Sequence, residues 1–339
     1  MKYARYVLAA ALLAIVIYTL TKDYEEGPYL SIAGFTQGTT YHMTYQSPVA
    51  DTLDLQPEIE AVLAGFDQSL SAYIDTSTIS LVNKNLTDKA DEYLEVVFRE
   101  AQRVHALSNG AFDITVGPLI DAWGFGPGRK MEMSEQVIDS LMQYVGMEKV
   151  SLEEGRIIKD DPGVRLDVNA IAQGYAVDVV CAWLDDRKVK NYMVEIGGEI
   201  RTKGASPRGD DWKVGVDKPT YGNQLPGQDL QEVVRLPGKA LASSGNYRKF
   251  YELDGKKIVH TVDPKTGYTQ PSNLLSATII TDECITADAI ATSCMALGLE
   301  KARELIISLD STEALLIYSD ENGNYLEWMT DGMKALIVH

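Results

Sequence analysis

Leu166-Asp167-Val168-Asn169-Ala170-Ile171-Ala172-Gln173-Gly174-Tyr175-Ala176-Val177-Asp178 carries a strand into a helix, and the rest of the chain is organised around it. The pattern predicts a helix from Ala170 to about Asp185, with Asn169 at the N-cap because its short side chain can accept a first-turn N–H. Ala170 and Gly174 are four residues apart, so they share one face of that helix and leave it nearly bare of side chains. Two readings stay open. The unpaired N–H groups of the helix N-terminus suit a diphosphate, or the bare face lets helix and sheet approach closely.

Outward from this stretch, strands and helices mix without strict alternation. Toward the N-terminus, Gly34–Tyr45 alternates as a strand, and helices are expected over Gln56–Ser71, Ala90–Leu107 and Ser134–Tyr144. Asn109-Gly110 stops the second helix and Ser134 caps the third. A hairpin is expected over 148–168, turning at Glu154-Gly155. Toward the C-terminus, strands are expected at Tyr192–Ile200, Trp212–Val216, Val233–Leu236, Phe250–Leu253, Ile258–Val262 and Leu275–Thr281, with a turn at Asp254-Gly255. Helices follow at Ala287–Ala296 and Leu299–Ser308, then a hairpin from Ala314–Tyr318 to Tyr325–Met329. No repeat or linker divides the body, and the class is α+β.

The chain has 339 residues, 31 Lys+Arg against 49 Asp+Glu, and a formal charge of −18. That balance excludes a protein that tracks nucleic-acid phosphates. An anionic ligand must instead be met locally, by a helix N-terminus or a divalent cation. Cys181, Cys284 and Cys294 form no CxxC pair, which removes zinc-ribbon and thioredoxin-type sites. His42, His105, His260 and His339 lie far apart with no HExxH, so a zinc hydrolase is not expected.

Lys2 and Arg5 precede an apolar run from Tyr6 to Leu20, and Lys22, Asp23, Glu25 and Glu26 restore polarity. This is the layout of an export signal or membrane anchor over 1–22, followed by a tether over 23–33 and a single domain over 34–339. No cysteine precedes Cys181, so a lipoprotein is not expected.

Three further segments are richer in glycine and short polar residues than packing demands. Gly110-Ala111-Phe112-Asp113-Ile114-Thr115-Val116-Gly117-Pro118 offers oxygen groups in what reads as a tight turn. Gly197-Gly198 interrupts an apolar strand, marking a bulge or a close approach to the backbone. The third is spread over Ser243-Ser244-Gly245-Asn246, His260 to Gly267, and Ala287 to Thr292. Asp263-Pro264-Lys265-Thr266-Gly267 has the makings of a turn with Pro at its second position. Asp288 and Thr292 stand i, i+4 on one helix, a carboxylate and a hydroxyl that make part of an all-oxygen cation site. The competing reading is a solvated Asp and a Thr bonding back to its own helix.

Taken together, and in order from about Gly34 to Ile337, these segments resemble the ApbE family of FAD:protein FMN transferases. Gly38-Thr39-Thr40-Tyr41-His42-Met43 and Ser71-Ala72-Tyr73 belong to the same pattern. The resemblance implies a T-fold-like α+β body exported to the outer face of the cytoplasmic membrane or the periplasm, attached through its N-terminus. It implies Mg²⁺-dependent transfer of FMN from FAD to a Thr or Ser hydroxyl, with release of AMP. It places Met43, Tyr73, Ala111, Phe112, Asp113, Asp167, Gln173, His260 and Val262 around the flavin. The metal would be held by the Ala170 carbonyl, Asp288 and Thr292, and His260 would assist proton transfer. Gln173 stands where relatives often carry Lys or Glu. The chain has no D-G-x-[ST]-G-[AS]-[ST]-like segment of its own, so the resemblance points to another protein as recipient, an acceptor flavoprotein subunit of a membrane redox complex. An FAD pyrophosphatase that uses water as acceptor, or a flavin-binding module without catalysis, are the alternatives.

Overall fold

The computed structural model describes residues 27–219, 229–246, 250–253, 256–269 and 272–338. The expected export segment at 1–22 and the turn at Asp254-Gly255 lie outside them.

The chain opens with a hairpin of β1 (Tyr29–Thr36) and β2 (Thr39–Gln46), in which Tyr41, Met43 and Tyr45 point inward while His42 faces solvent. Helices α1 (Gln56–Leu70), α2 (Thr78–Asn83), α3 (Glu92–Leu107), α4 (Gly117–Trp123) and α5 (Glu135–Met142) follow. The hairpin β3 (Val150–Glu153) and β4 (Arg156–Lys159) leads to α6 (Asn169–Asp186). Next come β5 (Tyr192–Ile196), β6 (Glu199–Lys203), β7 (Lys213–Asp217), β8 (Leu230–Arg235), β9 (Ala240–Gly245), β10 (Phe250–Leu253), β11 (Lys256–Val259) and β12 (Leu274–Thr281). The chain closes with α7 (Cys284–Leu297), α8 (Leu299–Ser308), β13 (Glu313–Ser319), β14 (Tyr325–Met329) and α9 (Asp331–Leu336).

An eight-stranded antiparallel sheet runs in the order β1-β2-β5-β6-β9-β12-β13-β14, the α+β architecture the sequence predicts. One face carries the large core, where Val194, Ala242, Ala277 and Leu316 meet residues of α1, α3, α6 and α7. The other carries a smaller core, where Leu241, Ile280 and Leu315 meet Val214, Val234 and Met333.

Helices α6 and α7 are apolar nearly all round, as helices in the middle of a protein must be. Gly174 lets them touch: a Cβ there would lie 2.4 Å from the Cys284 carbonyl oxygen and 2.8 Å from the Asp288 Cβ. Asp178, one turn on, accepts the amides of Cys284 at 3.0 Å and Ile285 at 2.8 Å, so a side chain of α6 caps α7.

Several expectations are corrected. Gly34–Tyr45 is not one strand but a hairpin, because Gln37 (φ 51°) and Gly38 (φ 72°) turn the chain. Its first strand begins at Tyr29, inside the stretch expected to be a tether. Gly197 (φ 63°) and Gly198 (φ 108°) are likewise the two-residue turn between β5 and β6, not an interruption within one strand. Asn169 is the first residue of α6 rather than its cap. Asp167 accepts the Asn169 amide at 2.9 Å and does the capping from outside. Gly117-Pro118 starts helix α4, since a proline fits the first helical turn where no N–H is needed.

Candidate active site at the contact of two buried helices

Asp288 is the centre of the candidate site. It lies on α7, is 5 % exposed, and accepts the Gly174 amide of α6 at 3.0 Å. In an unperturbed helix that amide serves the carbonyl four residues back, which is Ala170. The carboxylate therefore stands at the turn where the Ala170 carbonyl ends up. Thr292, one turn further along α7, has its hydroxyl 3.2 Å from that of Ser244 on β9. Among the described residues no Lys, Arg or His neutralises Asp288, and burial pushes its carboxyl up to about 7. A buried carboxylate beside neutral oxygens, lacking a countercharge, is a donor set that fits a hard cation such as Mg²⁺. Among the described residues no group of three or more His, Cys, Asp or Glu converges, so a softer, nitrogen- or sulfur-rich metal site is not built here.

Gln173 adjoins Gly174 and reaches the β5–β6 turn. A Cβ on Gly197 would lie 1.9 Å from Gln173 Nε2 and 2.9 Å from the Thr39 methyl, and its φ of 63° favours glycine there as well. The Gly197 amide donates to the Thr40 carbonyl at 3.0 Å, which ties this turn to the start of β2. The close approach read from the glycine pair is real, although it occurs at a turn.

The loop after α3 is held from within. Asp113 accepts the Thr115 amide at 2.8 Å, the Thr115 hydroxyl at 2.5 Å and the Met147 amide at 3.1 Å. Burial still holds its carboxyl above the usual range. His105 Nδ1 is 2.8 Å from the Phe112 carbonyl oxygen, to which it donates, and 3.6 Å from Asp113. A cavity of about 440 Å³ beside this loop is lined by His105, Gly110, Asp113, Gly146, Pro264 and Lys265. It joins the Ala111–Asp113 loop to the Asp263–Gly267 turn.

That turn forms as expected, with the Gly267 amide donating to the Asp263 carbonyl at 2.8 Å and the Lys265 amide to Asp263 Oδ1 at 2.9 Å. Trp123 Nε1 donates to the Gly267 carbonyl at 2.9 Å, and the Phe125 ring meets His260 edge-on at 6.3 Å between centroids. Helix α4 and the loop after it thus hold the His260 segment, while Val262 packs in a small core with Leu119, Trp123 and Ile138.

Tyr73 is 64 % exposed. Its hydroxyl is pushed up by partial burial first, and further by the negative charges of Asp167 and Asp121. Asp167 is itself pushed up, by burial first. Asp121 pairs with Arg165 at 2.8 Å and accepts the Gly128 amide at 2.8 Å.

The structure therefore sets Asp288 against the turn of α6 that carries Ala170, Gln173 and Gly174, with Thr292 one turn further along α7, and separately holds His260 and Val262 on one segment. Ala111 and Phe112 are buried in the loop beside the cavity, and Met43 lies in the large core at 1 % exposure. The sequence alone assigns no role to Asp178, Trp123 or Phe125. The i, i+4 step from Gly174 to Asp178 inside the quoted stretch is the available signal for Asp178.

Comparison with known proteins matches the chain along most of its length. The ApbE family model matches residues 37–316. The FAD:protein FMN transferase of Vibrio cholerae serotype O1 is 33 % identical over 314 residues, covering 90 % of this chain and 92 % of the relative. That of Haemophilus influenzae is 34 % identical over 333 residues, covering 93 % and 94 %. Among solved structures, the flavin transferase ApbE from Vibrio cholerae superposes with a TM-score of 0.81 at 31 % identity, over 92 % of this chain and 99 % of that one. The apo flavinyl transferase ApbE of Pseudomonas stutzeri gives a TM-score of 0.81 at 30 % identity, over 93 % and 98 %.

Proposed function

The chain belongs to the ApbE family, and we propose that it transfers FMN from FAD to a Ser or Thr hydroxyl of another protein. The observation that carries the reading is Asp288, a buried carboxylate at the α6–α7 contact without a countercharge among the described residues. A storage module gains nothing from such a group, whose burial is costly unless a cation meets it.

Asp288, Thr292 and the Ala170 carbonyl are the residues that would hold Mg²⁺. When bound, the ion would neutralise charge growing on the phosphorus oxygens. The remaining chemistry belongs to the chain. The acceptor hydroxyl oxygen forms a bond to the FMN phosphorus, and the bond from that phosphorus to the bridging oxygen breaks. The bonding pair leaves on AMP. The hydroxyl proton passes to His260, which Phe125 and the Asp263–Gly267 turn hold in place. Gln173 at the Gly197 turn and the exposed Tyr73 orient the flavin nucleotide.

Lys2 and Arg5 before the apolar run from Tyr6 to Leu20 support export, with the body at the outer face of the cytoplasmic membrane, and the family resemblance supports an acceptor subunit of a membrane redox complex as recipient. An export-dependent reporter fused after residue 40 should be active. The activity is tested by mixing the protein with FAD, Mg²⁺ and a redox-pump subunit carrying an acceptor segment. A fluorescent protein band together with free AMP supports transfer, AMP without the band supports the pyrophosphatase, and neither product leaves only a binding module.

A further inference from the structure

Asn246 follows β9 and is 5 % exposed. Its backbone amide donates to the Leu275 carbonyl at 3.2 Å, and its Oδ1 accepts the Thr261 hydroxyl at 3.1 Å. Its Nδ2 group has no hydrogen-bond partner among the described residues. Buried donors are almost always satisfied, so a lone one asks what accepts from it.

The neighbours answer. Ser244, two residues earlier, stands 3.2 Å from the Thr292 hydroxyl on α7. Thr261, which holds the Asn246 amide by its oxygen, directly follows His260. The end of β9 thus bridges the oxygen cluster at the α6–α7 contact and the loop bearing the proton acceptor. Any group that meets both must cross this interval. Under the transferase reading, on which this inference rests, that group is the phosphoryl being transferred.

We propose that Asn246 is a further catalytic residue, whose Nδ2 donates a hydrogen bond to a non-bridging oxygen of the FMN phosphoryl group during transfer. The balance of the step is unchanged. The acceptor oxygen bonds to phosphorus, the bond to the bridging oxygen breaks with its electron pair leaving on AMP, and the hydroxyl proton goes to His260. Asn246 neither gains nor loses a proton. It supplies a fixed dipole where negative charge builds, and such a donor acts most strongly when it is buried and already oriented. The Thr261 hydroxyl provides the orientation by holding the oxygen end of the amide.

Asn246→Asp separates this role from a structural one. The aspartate keeps the shape and still accepts from Thr261, but it replaces the donor with a second acceptor. AMP release from FAD with Mg²⁺ and the redox-pump acceptor subunit should fall about a hundredfold in kcat. Burying the new carboxylate lowers the thermal midpoint, so kcat is compared per folded molecule, and Asn246→Ala, which adds no charge, should lower kcat while keeping the KM for FAD near that of the wild type. Wild-type kcat in a folded Asn246→Asp protein would overturn the proposal while leaving the transferase reading intact. Asn246→Ala serves if the aspartate variant does not fold, and a folded alanine variant with full kcat would overturn it equally. A wild-type protein that releases no AMP would remove the reading and this inference together.

Discussion

The amide of Gly174 on α6 donates to the carboxylate of Asp288 on α7 at 3.0 Å, across a contact too tight for any side chain at residue 174. One glycine thereby does two things. It lets two buried helices touch, and it aims a backbone donor at the carboxylate that the cation site needs.

Gly174→Ala is expected to force the helices apart, because its Cβ would fall 2.4 Å from the Cys284 carbonyl oxygen. Overpacking of this kind costs about 1–3 kcal/mol. A urea titration should show the midpoint lowered by a corresponding amount. An unchanged midpoint would mean that the helices have slack.

Asp178 is buried with Arg201 at 2.5 Å and caps α7 through two amides. Asp178→Ala removes the cap and strands a half-buried guanidinium, a loss of about 3–5 kcal/mol. Chemical denaturation should register that loss. The rate per folded molecule should change far less, since Asp178 touches neither the oxygen cluster nor His260.

Much of this arrangement was legible beforehand, for reasons that differ by residue. Asp288 and Thr292 could be paired because both sit on one helix, where spacing fixes the face. The eight-stranded order could not, since β6 meets β9 and β2 meets β5 across long stretches of chain that no local pattern encodes. The hairpins at Gln37-Gly38 and Gly197-Gly198 were hidden because apolar alternation continues through them, and only their positive φ angles reveal the turn. Asn246 stood in a quoted segment, yet its role depends on Thr261, fifteen residues away, and on an unsatisfied donor. Sequence carries no sign of that.

Tyr73 offers an exposed ring, so its loss should not disturb the fold. Tyr73→Ala should leave the thermal midpoint in place and weaken FAD binding by about 1 kcal/mol, or roughly fivefold. Quenching of flavin fluorescence measures the affinity directly. A collapse of stability with unchanged affinity would place Tyr73 in the core instead.

Lys159 donates to the carbonyls of Val82 at 3.0 Å and Val164 at 3.1 Å, and burial, helped by Arg165, pushes its ammonium down to about 8. The unfolded chain has the ordinary value of 10.5. Between those two values the unfolded state binds more protons, so this group makes stability rise with pH there. Below about 8 the cost of the buried charge is fully present. Denaturation of wild type beside Lys159→Met should show the wild-type slope reduced in the variant over that window. Parallel slopes would mean that Lys159 titrates as in water.

The account stands on Asp288 as the charge that draws the cation. AMP release should be followed with FAD and the acceptor subunit while Mg²⁺ is titrated, wild type beside Asp288→Ala. The account predicts a rate at least about a hundredfold lower in the variant, the scale of losing one strong electrostatic stabiliser, and a Mg²⁺ response displaced to much higher concentration. FAD affinity measured without metal should change much less. Equal rates with the same Mg²⁺ dependence would contradict it.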